Sequence, residues 1–304
     1  MSSVPFEPAG RQGTLESVVV FAGIGVHSGD RVRVVIRPAP VNHGIVFVRS
    51  DVTGRDNRVP ALAAKVSNTQ LNTEIRNTSG VAVSTIEHLM AAFAALGVDN
   101  AVVELDGAEV PIMDGSAQPF VDVIDRGGVK EQDAPRRAIE IIEPIEVISG
   151  DKRAALLPAA HFEVAFELDY TGASSAIGRQ SIDLVVTEDS FRSELASART
   201  FGFLHEVEQL KAMGLGKGAS LENAVGLDGD RIMNPEGLRI EREFVRHKAM
   251  DAIGDLYTLG APIIGRFESK KGGHALNNAL CRALLARPEA WCWRPPMLDM
   301  AAVG

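Results

Sequence analysis

The segment EFVRHKAMDAIGDLYTLG, residues 243–260, has no proline until Pro262 and carries apolar residues at Phe244, Met250, Ile253, Leu256 and Leu259. That recurrence predicts a helix with one apolar side, and it stacks His247 and Asp251, four residues apart, on one helical face. Two ligands from adjacent turns are a common start to a divalent zinc site, which needs a third protein ligand and leaves one position for water when the zinc is catalytic. An intrahelical contact on a solvated face would give the same spacing. The feature points to metal-dependent hydrolysis, and whatever completes it lies elsewhere in the chain.

With 304 residues and 45% apolar content, the chain can form one large domain or two of ordinary size, and two is the preferred reading. The polar run VKEQDAPRR contains Pro135 and separates two patterned regions. It sets the expected boundary, with residues 1–133 as the first domain and 134–304 as the second. A formal net charge of −9 argues against broad binding to nucleic acid or to an anionic membrane surface, so an anionic substrate must meet local cations. Only Cys281 and Cys292 occur, with no disulfide framework and no CxxC knuckle, which suits a reducing cytoplasm. The N-terminus lacks a cationic region followed by a long apolar run, and no stretch reaches the roughly 18 apolar residues of a spanning helix. Stable membrane insertion is not expected, although a lipid-like substrate is compatible.

DRVRVVIRPAP and GIVFVRSD read as strands, STIEHLMAAFAALG as a helix, NAVVELDG as a strand, and PIMDGSAQPFVDVIDRGG as a turn leading into a helix. Ser84 and Glu87 have capping-box spacing, with Ile86, Leu89, Met90, Phe93 and Leu96 as the apolar face. In the second unit IEIIEPIEVI and HFEVAFELDY read as strands, followed by ARTFGF, a helix in LHEVEQLKAMG, the His247 helix, a short strand APIIGRF and a helix from HALNNALCRALLA. Each half runs strands first and a metal-suitable helix later. The expected fold class is α+β: two domains, each a β-sheet packed on α-helices, with a small strand-helix-strand insert in the second.

Three of the seven histidines stand out. His247 has Asp251 one turn away. His88 follows Glu87, whose carboxylate would close the capping box on Ser84 if it had no other role. His274 in KKGGHALNN opens a helix after glycines that let the backbone approach a ligand, or it caps and packs. Asp255, four residues after Asp251, could hydrogen-bond an imidazole from outside a metal shell. Lys248 could supply a cation for an oxyanion or phosphate, and Thr200 a hydroxyl; surface and structural roles account for either as well.

Taken together, IEHLMAAFAALGVDNAVVELDGAEVPIMDGSAQPF, ARTFGF, GLRIEREFVRHKAMDAIGDLY and GGHALNN, with GIGVHSGDRVRVVIRPAP near the start, give nearly the whole chain a family signature. The sequence resembles the UDP-3-O-acyl-N-acetylglucosamine deacetylase family of lipid A biosynthesis. The resemblance implies a zinc-dependent hydrolase that releases acetate from a UDP-linked acylated amino sugar. It implies Zn2+ held by His88, His247 and Asp251, with Glu87 as general base on the attacking water, His274 as general acid oriented by Asp255, and Thr200 and Lys248 near the tetrahedral oxyanion. Lys271 would approach the diphosphate, with Lys152 and Tyr170 towards the nucleotide end. The acyl passage would be the insert from Thr200 to about Gly226, lined by Leu204, Val207, Leu210, Ala219, Ser220 and Ala224.

Gln70 and Asn72 in SNTQLNTEI are more polar than the family pattern near the metal, and Lys217 stands where an apolar residue is expected. His27 lies in a family motif and is read as structural. Two other readings compete: a zinc amidohydrolase acting on another amidated sugar, and a catalytically silent binder of sugar nucleotides or acyl chains. Retention of Glu87, His274 and all three ligands disfavours the silent binder.

Overall fold

The computed structural model describes residues 10–294. The first nine residues, on which the reading of the N-terminus partly rests, lie outside the described residues. The architecture is α+β, as expected. In the first half a five-stranded sheet has the order Val19–Ile24, Arg31–Pro38, Ala101–Leu105, Ile45–Arg49 and Arg58–Pro60. Its pairs are antiparallel except Ile45–Arg49 against Ala101–Leu105, which run parallel. The strand Ala101–Leu105 alternates buried and half-buried residues, placing Ala101, Val103 and Leu105 in the core.

In the second half a seven-stranded sheet centres on Ile263–Lys270. That strand pairs antiparallel with Lys152–Leu157 and parallel with Phe162–Asp169 and Ala138–Ile141. Val164, Phe166 and Leu168 of HFEVAFELDY alternate along the strand and are buried on one face. The predicted short strand APIIGRF extends to Lys270.

The helices Glu87–Ala95 and Glu243–Tyr257 pack directly on each other, and Glu243–Tyr257 also packs on the His274–Leu285 helix. Both partners in the first contact are buried almost all round: Glu87 to Phe93 on one, and nearly every residue of Glu243–Tyr257 on the other. Close approach depends on Gly254, where a β-carbon would lie 1.9 Å from the Glu87 carbonyl oxygen. The ligands on these two helices are therefore brought together by backbone contact.

Two local features depart from the sequence pattern. The polar run VKEQDAPRR contains a strand, Val129–Pro135, which pairs antiparallel with Arg11–Leu15 and is itself exposed or half-buried along its whole length. Exposure of most of its side chains explains why its composition resembles a linker. The Ser84–Glu87 capping box also does not form. Thr85 has φ +58°, the Ser84 hydroxyl donates to Ala108 O, and the helix begins after Ile86 with no side-chain cap. Glu87 is left free to face elsewhere.

The insert folds as expected. Strand Phe201–Phe203 leads into helix Leu204–Ala212 and returns as Val225–Asp228, parallel to the first strand. Its glycine turn docks on the first half, with Lys217 N and Gly218 N donating to His27 O and Val26 O.

Candidate active site

His88, His247 and Asp251 form a buried group whose ligand atoms all lie within 4.8 Å of one another. His88 Nε2 is 3.3 Å from Asp251 Oδ1, and His247 Nε2 is 3.3 Å from Asp251 Oδ2. The two imidazoles meet edge to face, ring centroids 5.0 Å apart. His247 Nδ1 donates to Ala198 O at 3.1 Å, which leaves Nε2 as the unprotonated atom turned to the carboxylate.

The electrostatics suit a cation. Burial holds the His247 imidazole down at about 3, so it is neutral with a free lone pair. Burial would raise Asp251, but His247 and Lys248 outweigh it and hold the carboxyl well below its ordinary value. Asp251 Oδ1 accepts no hydrogen bond among the described residues, although it is buried. Two imidazoles, that of His247 held neutral, and one ionised carboxylate converging in a buried site fit a divalent metal that prefers nitrogen and oxygen donors.

Glu87 and His274 flank this group. Glu87 Oε2 accepts from Thr73 N at 3.0 Å, and burial raises its carboxyl above the usual range, against the opposing pull of His274 and His88. His274 Nδ1 donates to Asp255 Oδ2 at 2.8 Å, and His274 Nε2 lies 3.9 Å from Asp251 Oδ2. Burial alone would lower His274, yet Asp255, Glu87 and Asp251 together raise it to about 9. One carboxylate is thus disposed to accept a proton and one imidazolium to donate one. Lys248 Nζ donates to Asp251 Oδ2 at 2.9 Å and lies 5.9 Å from the Phe201 ring centroid.

A cavity of about 160 Å³ opens over the cluster. Glu87, His88, His247, Lys248, Asp251, His274 and Thr200 line it, and Val207, Leu210, Ala219 and Ala224 of the insert continue the lining. Two expected lining residues do not belong to it. Leu204 is exposed at the start of its helix, and Ser220 sits in a turn where its hydroxyl accepts from Glu222 N. Lys271 and Lys152 are also outside the cavity: Lys271 Nζ pairs with Asp151 at 2.9 Å and Asp169 at 3.5 Å, and Lys152 is exposed at a strand end. The Tyr170 ring lies 6.1 Å from each of Phe201 and Phe203, and Phe201 lines the cavity.

Several residues that hold the site escape a sequence reading. Arg199, fully buried, pairs with Glu243 at 2.8 Å and so fastens ARTFGF to the start of the His247 helix. Asn277 Nδ2 donates to Asp255 Oδ2 at 2.9 Å, and Thr73 Oγ1 to Asp255 Oδ1 at 2.5 Å. Arg199 and Asn277 both lie within quoted motifs, and neither pattern says which carboxylate it meets. His27, read as structural, lines the cavity too. Asn72 is buried and its amide donates to Gln70 O.

An α+β fold with a His–His–Asp group between a raised carboxylate and a carboxylate-paired imidazolium defines a metallohydrolase. Residues 12–286 match the model of the family LpxC, UDP-3-O-acyl N-acetylglycosamine deacetylase. A UDP-3-O-acyl-N-acetylglucosamine deacetylase of Phenylobacterium zucineum is 63% identical over 290 residues, covering 95% of this chain and 98% of the relative. Proteins of the same name from Acidithiobacillus ferrooxidans and Shewanella sp. strain W3-18-1 are 50% and 48% identical, each over 92% of this chain and 92% and 91% of their own length. The chain belongs to the LpxC family of deacetylases and is a hydrolase. No helix among the described residues is long and apolar enough to cross a membrane.

Proposed function

We propose that the protein removes the acetyl group from UDP-3-O-acyl-N-acetylglucosamine in the cytoplasm, with one zinc ion held by His88, His247 and Asp251. The observation that carries the reading is the placement of Glu87 and His274 with those three residues in one cavity. Zinc bound there supplies Lewis acidity towards the amide carbonyl and lowers the pKa of water towards roughly 7. Glu87 takes the proton of the attacking water as its oxygen bonds to the carbonyl carbon. Lys248 and Thr200 stabilise the oxyanion from the cavity wall. His274, kept protonated by Asp255, gives its Nε2 proton to the amine as the C–N bond breaks, leaving acetate and a free amino sugar.

The rest of the substrate is assigned by chemistry. Val207, Leu210, Ala219 and Ala224 offer an apolar surface to the acyl chain. Tyr170, Lys271 and Lys152 form the nucleotide end, reached past Phe201, where the two lysines bring cations to an acidic protein. The division into residues 1–133 and 134–304 belongs to this reading, with ligands contributed from both sides.

The test is acetate release from UDP-3-O-acyl-N-acetylglucosamine by purified protein, with metal content measured before and after chelation. Turnover lost on chelation and restored by zinc is the expected result. Turnover indifferent to metal removal would overturn the assignment, and tight binding without turnover would return the silent-binder reading.

A further inference from the structure

We propose that Thr73 is a positioning residue for this reaction, a clamp that sets the proton acceptor and the proton donor against each other across the two halves of the chain. The proposal rests on the deacetylase reading above. Thr73 does not line the cavity and is 2% exposed, and each of its polar groups meets a functional element. Its backbone N–H donates to Glu87 Oε2 at 3.0 Å. Its hydroxyl donates to Asp255 Oδ1 at 2.5 Å, and its carbonyl accepts from Ile86 N at the start of the His88 helix.

The hydroxyl has one proton to give, and geometry decides where it goes. His274 Nδ1 is 3.4 Å away but already donates to Asp255 Oδ2, the oxygen that Asn277 also reaches. The proton therefore lies towards Asp255 Oδ1. Asp255 then accepts from three donors, Thr73 from the first half and His274 and Asn277 from the His274–Leu285 helix, with both oxygens engaged. A carboxylate held at both oxygens resists rotation about its own bond, so the His274 ring plane and the position of Nε2 are fixed as well. Removing the hydroxyl frees Oδ1, and a displacement of about 1 Å at a reacting group is enough for a loss on the order of 10²-fold. The Glu87 bond survives such a change because it comes from the backbone.

The experiment compares Thr73→Val, Thr73→Ala and Thr73→Ser with the wild-type protein by deacetylation kinetics, metal content and thermal unfolding. Valine keeps the shape and the backbone donor and removes the hydroxyl; serine restores the hydroxyl alone. The expected result is a kcat lowered about 10- to 100-fold in Thr73→Val and Thr73→Ala, with KM within about twofold, metal content unchanged, and most of the rate recovered in Thr73→Ser. Wild-type kcat in the valine and alanine variants would overturn the proposal. So would a serine variant as slow as valine, or a loss expressed in KM or in metal content. Should Thr73→Val fail to fold, the alanine-to-serine comparison decides alone. Absence of turnover in the wild-type protein would overturn the deacetylase reading itself, an outcome distinct from all of these.

Discussion

Gly254 lies so close beneath Glu87 that a β-carbon at position 254 would stand 1.9 Å from the Glu87 carbonyl oxygen and 3.0 Å from Ala91 N. Both are backbone atoms, so neither can swing aside. Alanine would gain about 1 kcal/mol of helix propensity over glycine, whereas overpacking of this kind costs about 1–3 kcal/mol and forces the helices apart. Gly254→Ala is therefore expected to lower the melting temperature and to lose metal faster under chelator challenge, because His88 and Asp251 sit on opposite sides of that contact. Metal retention and rate equal to wild type would show that the crossing does not fix the ligand distances.

Separate substitutions distinguish ligand from proton carrier. His247→Ala removes one of three protein donors, and elemental analysis after dialysis should find metal and activity lost together. Glu87→Gln keeps the size of the side chain and removes the proton acceptor. Its metal should stay while the rate falls by about 10²- to 10⁴-fold. A Glu87→Gln enzyme running at nearly full rate would reduce that carboxylate to a partner of Thr73 N.

What the sequence discloses and what it hides divide along a physical line. Helical period and strand alternation are local, so Glu243–Tyr257, Ala101–Leu105 and Phe162–Asp169 are readable from side-chain order. His247 and Asp251 are readable for the same reason. Thr73 is not, because its partner Asp255 lies 182 residues away and a lone buried threonine carries no pattern. Ser84 and Glu87 show the opposite failure: the spacing of a cap is present, but Thr85 in the left-handed region turns the chain and the Glu87 carboxylate goes to Thr73 N. The strand Val129–Pro135 is hidden by its exposure, since none of its own side chains is buried and it shows no apolar alternation. Leu204 has the helical spacing of Val207 and faces water, because the side of a helix that meets a cavity depends on how the whole insert docks.

The metal-free protein should show the His274 pair in its stability. An unperturbed imidazole titrates near 6.5, and His274 in the fold is raised to about 9. Between those values the folded state holds a proton that the unfolded state has released. The contribution is complete below about pH 6.5 and is lost as pH rises through about 9. His247 has the opposite sign: held down at about 3, it contributes above pH 6.5, and that contribution is lost as pH falls towards 3. Thermal unfolding of metal-free wild type and His274→Gln from pH 6.5 to 9.5 checks the first, and the variant should show the shallower decline. Equal slopes would mean that the His274–Asp255 pair adds nothing to pH-dependent stability.

The last prediction concerns chain length. Val207, Leu210, Ala219 and Ala224 line the cavity beyond the metal group, and Gly216 in the same turn lets the backbone approach. Lys217, which stood out as the polar residue in this turn, is exposed and hydrogen-bonds through its backbone to His27 O, so its charge does not interrupt the lining. Each methylene buried in such a passage contributes roughly 0.8 kcal/mol, close to a factor of four in kcat/KM at constant geometry. Substrates shortened by several carbons should therefore react more slowly by orders of magnitude, until the chain end leaves the passage. Ala224→Phe fills the passage from its wall and should penalise long-chain substrates far more than short ones, with metal content unchanged. The same change at Ser220, outside the lining, should leave the length profile as it is. An equal loss across all chain lengths in Ala224→Phe would place the acyl group on another surface.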